Sequence, residues 1–201
     1  MLTIGRPRDV AKEICSKLRL SMGSDGLKQI ASIIEPMKLI RGKHPVQEGE
    51  VCNYIFYVQH GLILHTYRKN DTIMTENITH EGDFAVATES FFKRKPSLID
   101  METLEPSIIY GLPHDKLYEL AQTSFDICRL IFSLEQYFLL WAQHRADAMR
   151  FETAHQRYVR YLQERPEIVR RAPVHNIASL LQMTRETLSR MRTLVHGDEK
   201  P

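Results

Sequence analysis

Basic, acidic and hydroxyl side chains occur at helical spacing near residue 187 of the sequence. Arg185 and Ser189 are four residues apart, and Glu186 and Arg190 have the same spacing. Residues four apart are neighbours on a helix, so a helix here would present all four side chains on adjoining rows. Arginine can donate two hydrogen bonds to guanine, and glutamate can accept one from the cytosine amino group. The pattern makes this segment a candidate for recognising base pairs.

The apolar residues around this segment fall into two groups, separated by Met183 and Thr184. The groups are Ile177, Leu180 and Leu181, and then Leu188, Met191 and Leu194. Their spacing predicts two short helices joined by a tight connection, with the Thr184 hydroxyl capping the second. In a helix-turn-helix the second helix presents its N-terminal residues to the major groove. An ordinary solvated helix with a Glu186–Arg190 pair fits the same spacing, and the residues alone leave both interpretations open.

Charge is unevenly distributed along the chain. Its 201 residues include 27 Lys and Arg against 25 Asp and Glu, and a net charge of +2 argues against a strongly basic nucleic-acid binder. Residues 144–201, however, carry eleven basic and seven acidic residues, whereas residues 1–143 carry sixteen and eighteen. The C-terminal part is therefore basic, which favours attraction to phosphates.

The middle of the chain has the pattern of a small β domain. Short runs rich in Val, Ile, Tyr, Phe and Thr alternate with turn signals, which is typical of a barrel or sandwich. The predicted strands are Lys38–Ile40, Tyr54–Val58, Leu62–Tyr67, Thr72–Ile78, Ile99–Thr103 and Ser107–Leu112. A short amphipathic helix, with Ser24 as its cap and Pro36 beyond its end, precedes them. Residues 1–23 show no clean period, and we predict no element there.

After Pro113 the pattern becomes helical. It predicts a short helix over His114–Thr123 and a long one over residues 124–154, with apolar side chains on one stripe of the long helix. We expect this helix to pack one face on the β domain and another on a partner chain; burial within its own domain is the alternative. The candidate dimer-interface residues are Ile131, Leu134, Phe138 and Trp141. Short helices broken at prolines follow.

Several functional classes are disfavoured. Three separated cysteines without a C-x-x-C pair argue against a disulfide scaffold or a zinc site, and they fit a reducing cytoplasm. The sequence has neither a signal-peptide pattern nor an apolar run long enough for a membrane span, so we expect a soluble protein without membrane partners. No His-x-His pair, catalytic triad or paired carboxylates stand out, so we expect no enzyme activity, metal or cofactor. We expect surface or turn positions for His60, His65 and His80.

The run Met-Thr-Arg-Glu-Thr-Leu-Ser-Arg at 183–190 resembles the recognition-helix signature of the Crp/Fnr family of bacterial transcription regulators. Further landmarks of its β-roll are Gly42, Glu48-Gly49, Tyr57-Val58, Gly61, Tyr67, Gly82-Asp83-Phe84 and Phe91. The resemblance implies an α+β chain with an antiparallel, double-stranded, jelly-roll-like β-roll sensor at 24–122. A long dimerisation helix at 123–152 and a helix-turn-helix domain at 153–201, with a short or absent wing, would follow.

The same resemblance implies a homodimeric, sequence-specific regulator that recognises an inverted repeat in a double-stranded DNA operator. It implies RNA polymerase and a small-molecule effector as further partners. Arg185, Glu186 and Arg190 would contact bases, Thr184 and Thr187 would contact the backbone, and Ser189 would share the DNA-binding surface.

The sequence departs from the family at three places. Val86-Ala87 and Ser97-Leu98 stand where cyclic-nucleotide binders have Gly-Glu and Arg-Ser or Arg-Thr, so we expect no cyclic-AMP binding by the usual contacts. Cys15 stands alone where the oxygen-sensing branch clusters its cysteines, so a small buried side chain is expected rather than an iron–sulfur ligand. Gln182 replaces the turn glycine, and a left-handed conformation there would cost on the order of 1 kcal/mol.

A second interpretation belongs to another functional class. The chain could be a small-molecule-binding β-roll module whose helical tail mediates protein contacts rather than DNA binding. Gln182 and the short or absent wing favour this alternative, whereas the Arg-Glu-Thr-Leu-Ser-Arg surface disfavours it.

Overall fold

A computed structural model of the chain describes residues 2–197. Within this range the helices are α1 Pro7–Lys17, α2 Ser24–Ile33, α3 Thr88–Lys93, α4 His114–Ala121, α5 Phe125–Phe151, α6 Ala154–Glu164, α7 Pro166–Arg171, α8 Val174–Leu180 and α9 Arg185–Gly197. The strands are β1 Glu35–Leu39, β2 Tyr54–His60, β3 Ile63–Lys69, β4 Thr72–Thr79, β5 Phe84–Ala85, β6 Ile99–Thr103 and β7 Ser107–Pro113. No helix in this range has the length and apolar character needed to cross a membrane.

The strands form two antiparallel sheets, with the orders β1-β7-β2-β5 and β4-β3-β6. All six predicted strands are present, with ends that differ from the predictions by no more than three residues. The prediction of an α+β chain with a jelly-roll-like antiparallel β-roll is therefore confirmed. The sequence analysis missed β5, whose two residues are too few for an alternating pattern, and the short helix α3 that follows it.

A helix also lies before residue 24, where the sequence predicted none. Val10, Ala11, Ile14 and Cys15 of α1 are buried against the core of the β-roll, so this segment is part of the folded unit. Positions i, i+1, i+4 and i+5 share one helix face. The charged residues between these positions obscure the helical period of the apolar residues in the sequence. The prediction for Ser24 was also wrong, because Gly23 is the N-cap residue and makes no side-chain cap.

The long helix α5 begins after Ser124, whose hydroxyl accepts a hydrogen bond from the Ile127 N–H at 3.4 Å. Of the four residues expected to contact a partner chain, Leu134 is only 1% exposed within its own protomer. Ile131 and Phe138 pack against the same core, and Trp141 is partly buried. Leu134 is therefore covered by its own protomer, whereas Ile131, Phe138 and Trp141 keep part of their surface exposed. Periodicity located the buried stripe correctly but could not tell what covers it.

A different face of α5 is apolar and open to solvent. Its exposed large side chains are Phe125, Phe132, Leu139, Leu140 and Phe151. Phe132 and Leu139 are seven residues apart, which places them on one face of the helix. This face offers more exposed apolar surface than the predicted stripe, where Leu134 is buried.

The C-terminal helices α6 to α9, hereafter the C-terminal module, pack directly on the β-roll. Leu62, Leu64 and Ile78 of the roll belong to the same apolar cluster as Tyr158 and Ile177 of the module. Polar contacts add to this packing. The Thr75 N–H donates a hydrogen bond to the Ser179 hydroxyl at 2.8 Å, which joins β4 to α8.

Two carboxylates of the roll bind arginines of the module. Asp83, almost fully buried, forms ion pairs with Arg165 and with Lys17 of α1, and it accepts a hydrogen bond from Tyr137 of α5 at 3.0 Å. Glu81 binds Arg171 through both of its carboxylate oxygens, at 2.8 and 3.0 Å. The module is thus fixed to the roll by charge-assisted hydrogen bonds as well as by apolar contacts.

We predict that Glu81 contributes a pH-dependent part of stability. Burial disfavours its ionised form, but hydrogen bonds from Arg171 and the Gly61 N–H prevail and lower its pKa from 4.5 to about 2. A lowered folded-state pKa stabilises the fold above the unfolded pKa, and this gain is lost as the pH falls toward 2. Glu81→Gln should lower the free energy of unfolding by about 2–3 kcal/mol at pH 7 in urea denaturation.

The difference between wild type and Glu81→Gln should shrink as the pH is lowered from 4.5 to 2. Glu119→Gln, which alters an exposed carboxylate on α4, is the matched control and should behave as wild type. A stability difference that stays constant over this pH range would contradict the assignment.

Candidate nucleic-acid interface

Helices α8 and α9 form the two helices of the predicted helix-turn-helix. Ile177, Leu180, Leu181 and Leu188 are buried between them and the neighbouring helices and strands. Leu194 differs from the prediction, since it is 53% exposed and does not extend the buried face. The prediction of a short or absent wing concerns residues beyond 197, which lie outside the described residues.

The connection between the two helices contains a residue in the left-handed conformation. Gln182 has φ +52°, in the region where glycine is normally favoured. Its N–H donates to the Ser179 carbonyl and the Met183 N–H donates to the Ala178 carbonyl, both at 3.0 Å. These two bonds are those of a Schellman motif, which satisfies the last carbonyls of α8. The motif turns the chain sharply into α9.

Thr184 caps α9, as predicted from its position. Its hydroxyl oxygen accepts a hydrogen bond from the Thr187 N–H at 3.1 Å. Hydrogen bonds from the Glu186 backbone N–H and the Thr184 hydroxyl lower the pKa of the Glu186 carboxyl. The first turn of α9 therefore holds an ionised carboxylate in place, where the positive end of the helix favours it.

The side chains expected to recognise bases are accessible. Thr184, Arg185, Glu186, Ser189 and Arg190 are exposed, and we call them the base-reading surface; Thr187 beside them is half-buried. Arg190 lies 3.5 Å from the Thr187 hydroxyl oxygen, and no Glu186–Arg190 ion pair forms among residues 2–197. The Arg185 guanidinium has no hydrogen-bond or ion-pair partner in the same range. The Arg185 guanidinium is thus free to meet an external partner, and Arg190 and the Glu186 carboxylate, which make only local hydrogen bonds, are exposed beside it.

The positions that bind cyclic nucleotides in the resembling family hold unsuitable side chains here. Val86 and Ala87 are buried, and the Ser97 hydroxyl donates a hydrogen bond to the Ile99 carbonyl at 2.7 Å. Arg94, the nearest guanidinium in sequence, donates to the Cys52 carbonyl at 2.7 Å and is thereby held away from the roll interior. In the part of the chain that the structure describes, the family's cyclic-nucleotide contact positions thus hold neither a carboxylate nor a guanidinium.

One histidine prediction was wrong. His65 is only 2% exposed, and its Nε2 lies 2.9 Å from the Thr79 hydroxyl oxygen inside the roll. Burial lowers the pKa of His65 to about 3, so the ring is neutral. Cys15 is buried as expected, and burial raises the pKa of its thiol to about 11.

A group of candidate metal ligands lies under the C-terminal module. Potential ligand atoms of His60, Glu81 and Glu105 are within 4.8 Å of one another. The Arg171 guanidinium donates hydrogen bonds to both carboxylates, so their charge is already balanced by a cation of the protein itself. This geometry makes the group part of the anchor between roll and module.

Two charged residues, Glu76 and Arg145, line a cavity between the roll, α5 and the C-terminal module, and sequence reasoning missed their role. They are 69 positions apart by their residue numbers. No local spacing could have joined them, since only the packing of α5 on the roll brings them to one cavity.

No protein-family model matches the chain, and no curated protein matches it. Several solved structures do match the chain. FixK2 from Bradyrhizobium japonicum has a TM-score of 0.71 at 16% identity, covering 83% of this chain and 86% of that one. The c-di-GMP responsive global regulator CLP of Xanthomonas campestris has a TM-score of 0.66 at 16% identity, covering 88% and 93%. A candidate transcriptional regulator of the Crp/Fnr family from Eubacterium rectale has 0.66 at 14%, covering 88% and 85%.

These similarities extend over the roll, the long helix and the C-terminal module together. At such low identities they concern the fold, which is that of Crp/Fnr-type regulators. The resemblance inferred from the sequence is confirmed at this level.

We predict that Gln182→Gly stabilises the protein. Glycine adopts positive φ without the Cβ conflict that strains glutamine, so the free energy of unfolding should rise by about 0.5–1 kcal/mol in urea denaturation. Gln122→Gly is the matched control, because Gln122 has φ −65° and glycine there only adds unfolded-state entropy. Equal destabilisation by both substitutions would show that the left-handed turn carries no strain.

Proposed function

We propose that this chain is a homodimeric, sequence-specific DNA-binding transcription regulator. The observation that carries the proposal is the base-reading surface, which is exposed at the capped N-terminus of the second helix of a helix-turn-helix. Recognition helices of this motif read the major groove with those N-terminal positions. Because the DNA of bacteria lies in the cytoplasm, we propose the cytoplasmic location that the family resemblance implies.

The side chains of the base-reading surface suit distinct contacts. Arg185 and Arg190 can each donate two hydrogen bonds to a guanine edge. Glu186, ionised by its position in the first helical turn, can accept one from a cytosine amino group. Thr184, Thr187 and Ser189 carry hydroxyl groups near the helix start, where they can meet phosphate oxygens.

The homodimer is proposed to form through the exposed face of α5. Phe132, Leu139 and Leu140 are each more than half exposed on a helix whose opposite side is buried in its own protomer. Burial of these side chains against a second copy would remove apolar surface from water. Two base-reading surfaces about 34 Å apart would then match an inverted repeat on one side of the duplex.

The effector is proposed to be a molecule other than cyclic AMP. Val86, Ala87 and Ser97 offer neither the carboxylate for a ribose hydroxyl nor the guanidinium for a cyclic phosphate. RNA polymerase is a further partner that the family resemblance implies. We propose no catalytic activity.

The alternative is a small-molecule-binding module whose helical tail contacts proteins. Gln182 no longer favours it, since this residue forms an ordered Schellman turn into a capped helix. An electrophoretic mobility shift with pooled random duplexes separates the two functions. A selected duplex sequence supports the regulator, and no shift at low salt supports the alternative.

We predict that Arg185→Ala weakens binding to a duplex selected in that experiment by about 1–3 kcal/mol and relaxes the preference at one base pair. Arg185→Lys keeps the charge but loses the paired donors, so it should lose the preference and retain the salt dependence of binding. Fluorescence anisotropy with labelled duplexes measures both. Wild-type affinity and preference in both variants would show that Arg185 does not contact bases.

We predict that Leu139→Glu dissociates the dimer. A carboxylate at this exposed apolar position would be buried without a partner in the proposed interface, which is costly. Leu98→Glu is the matched control, because Leu98 in the roll is 71% exposed and Leu139 is 69% exposed. Sedimentation equilibrium should show monomers for Leu139→Glu and dimers for wild type and Leu98→Glu. A dimeric Leu139→Glu protein would remove this face from the interface.

A further inference from the structure

A cavity of about 180 Å³ lies where the β-roll, α5 and the C-terminal module meet. The roll contributes β4 and the segment around Phe84, α5 contributes residues from Tyr137 to Met149, and the module contributes α6 and Leu180. The cavity is smaller than the roughly 300–1,000 Å³ typical of pockets for drug-sized ligands. Its occupant must therefore be small.

Most charges around this cavity are paired within the protein. Arg165 pairs with Asp83, and Arg160 lies 2.9 Å from Glu164. Glu76 and Arg145 are different, because neither side chain has a hydrogen bond or ion pair anywhere in the described part of the chain. One carboxylate and one guanidinium on the wall of the same cavity are thus left without a hydrogen bond or an ion pair.

The backbone positions Glu76 for this role. In the β3–β4 ladder His65 pairs with Asn77 and Thr66 pairs with Thr75, so Glu76 is the extra residue of a β-bulge. A bulge interrupts the alternation of a strand and redirects a side chain, and such bulges are frequent beside binding sites. The bulge, which regular strand pairing does not need, therefore directs the Glu76 side chain toward the cavity.

Arg145 is positioned by a ring. Its guanidinium carbon lies 5.5 Å from the centroid of the Trp141 ring one turn earlier on α5. Burial raises the pKa of Glu76, and the charge of Arg145 acts in the opposite direction. The two charges therefore interact electrostatically although they form no ion pair. A ligand between them would satisfy both charges at once.

The remaining wall is partly apolar. Val86, Phe138 and Trp141 line the cavity beside the two charged groups. A purely anionic ligand would leave Glu76 unpaired, and a purely cationic one would leave Arg145 unpaired, which is unfavourable in a half-buried site. A ligand with an ammonium group, a carboxylate group and a short apolar side chain meets all three requirements.

We propose that this cavity binds a small apolar α-amino acid, whose ammonium group pairs with Glu76 and whose carboxylate pairs with Arg145. The apolar side chain of the ligand packs against Val86, Phe138 and Trp141. Binding itself is independent of the DNA-binding proposal; the role of the amino acid as an effector rests on that proposed function.

The test is isothermal titration calorimetry of the full chain with L-leucine, L-methionine and L-phenylalanine. At least one of them should bind and change the fluorescence of Trp141, the single tryptophan of the chain, with the same midpoint. The matching amide lacks the carboxylate, and the matching deaminated acid lacks the ammonium group. Each should bind at least about ten-fold more weakly, because one buried charge of the site stays unpaired.

Substitutions of Glu76 and Arg145 test whether each of these residues binds the amino acid. Glu76→Gln and Arg145→Gln should each weaken binding of the same amino acid at least about ten-fold, and Glu119→Gln on α4 should leave it unchanged. Circular dichroism checks that the variants are folded; if either is not, the comparison of the amino acid with its two analogues decides alone. No binding by any of the three amino acids, or equal binding of the analogues, would overturn the proposal.

Fluorescence anisotropy with a selected duplex, with and without the amino acid, separates the two proposals. Amino-acid binding without DNA binding supports the proposed amino-acid site and refutes the proposed DNA-binding function. DNA binding without amino-acid binding refutes the site and leaves the regulator intact. A change in duplex affinity when the amino acid is added supports the effector role, and an unchanged affinity refutes that role.

Discussion

A buried anion at Asp83 is the constraint on which the relative positions of the elements depend. An ionised carboxylate can be buried only when cations and hydrogen-bond donors surround it, because an unpaired buried charge costs several kcal/mol. Its partners here come from three parts of the chain: Lys17 on α1, Tyr137 on α5 and Arg165 between α6 and α7 of the C-terminal module. Removing any of these elements would take away one of the cations or hydrogen-bond donors that stabilise the buried anion. The N-terminal helix, the long helix and the module are therefore held against one point of the roll.

This arrangement also builds the amino-acid site. Asp83, Tyr137 and Arg165 belong to the wall of the cavity as well as to the ion-pair network. Phe84, next to Asp83, packs edge-on against Tyr137 with ring centroids 5.3 Å apart. A ligand that shifts α5 relative to the roll would act on the contacts that hold the C-terminal module. The position of the module and the occupation of the cavity therefore depend on the same three side chains, Asp83, Tyr137 and Arg165.

Local features of the structure could be predicted from the sequence, and features that depend on distant neighbours could not. The Thr184 cap follows from residues within one turn, and six strands follow from alternation and turn residues. The buried stripe of α5 was located by its period, but its partner surface was not, because Leu134 would look the same beneath a roll or beneath a second copy. The bulge at Glu76 and the burial of His65 depend on strand register. Register is set by pairing across the sheet, which a single sequence does not display.

The anchoring of the module explains how a strained turn can still be followed by an ordered helix α9. Helix α8 is fixed on β4 by the Thr75–Ser179 hydrogen bond and by apolar contacts to the roll. The Schellman bonds at Gln182 then set the direction in which α9 leaves α8, and Leu188 holds α9 to the same cluster. Strain of about 1 kcal/mol at Gln182 is small beside the burial of these side chains. Because the anchoring contacts are made by α8 and the inner side of α9, Arg185, Glu186 and Arg190 are left facing solvent. The same packing that secures the module therefore orients the base-reading surface outward.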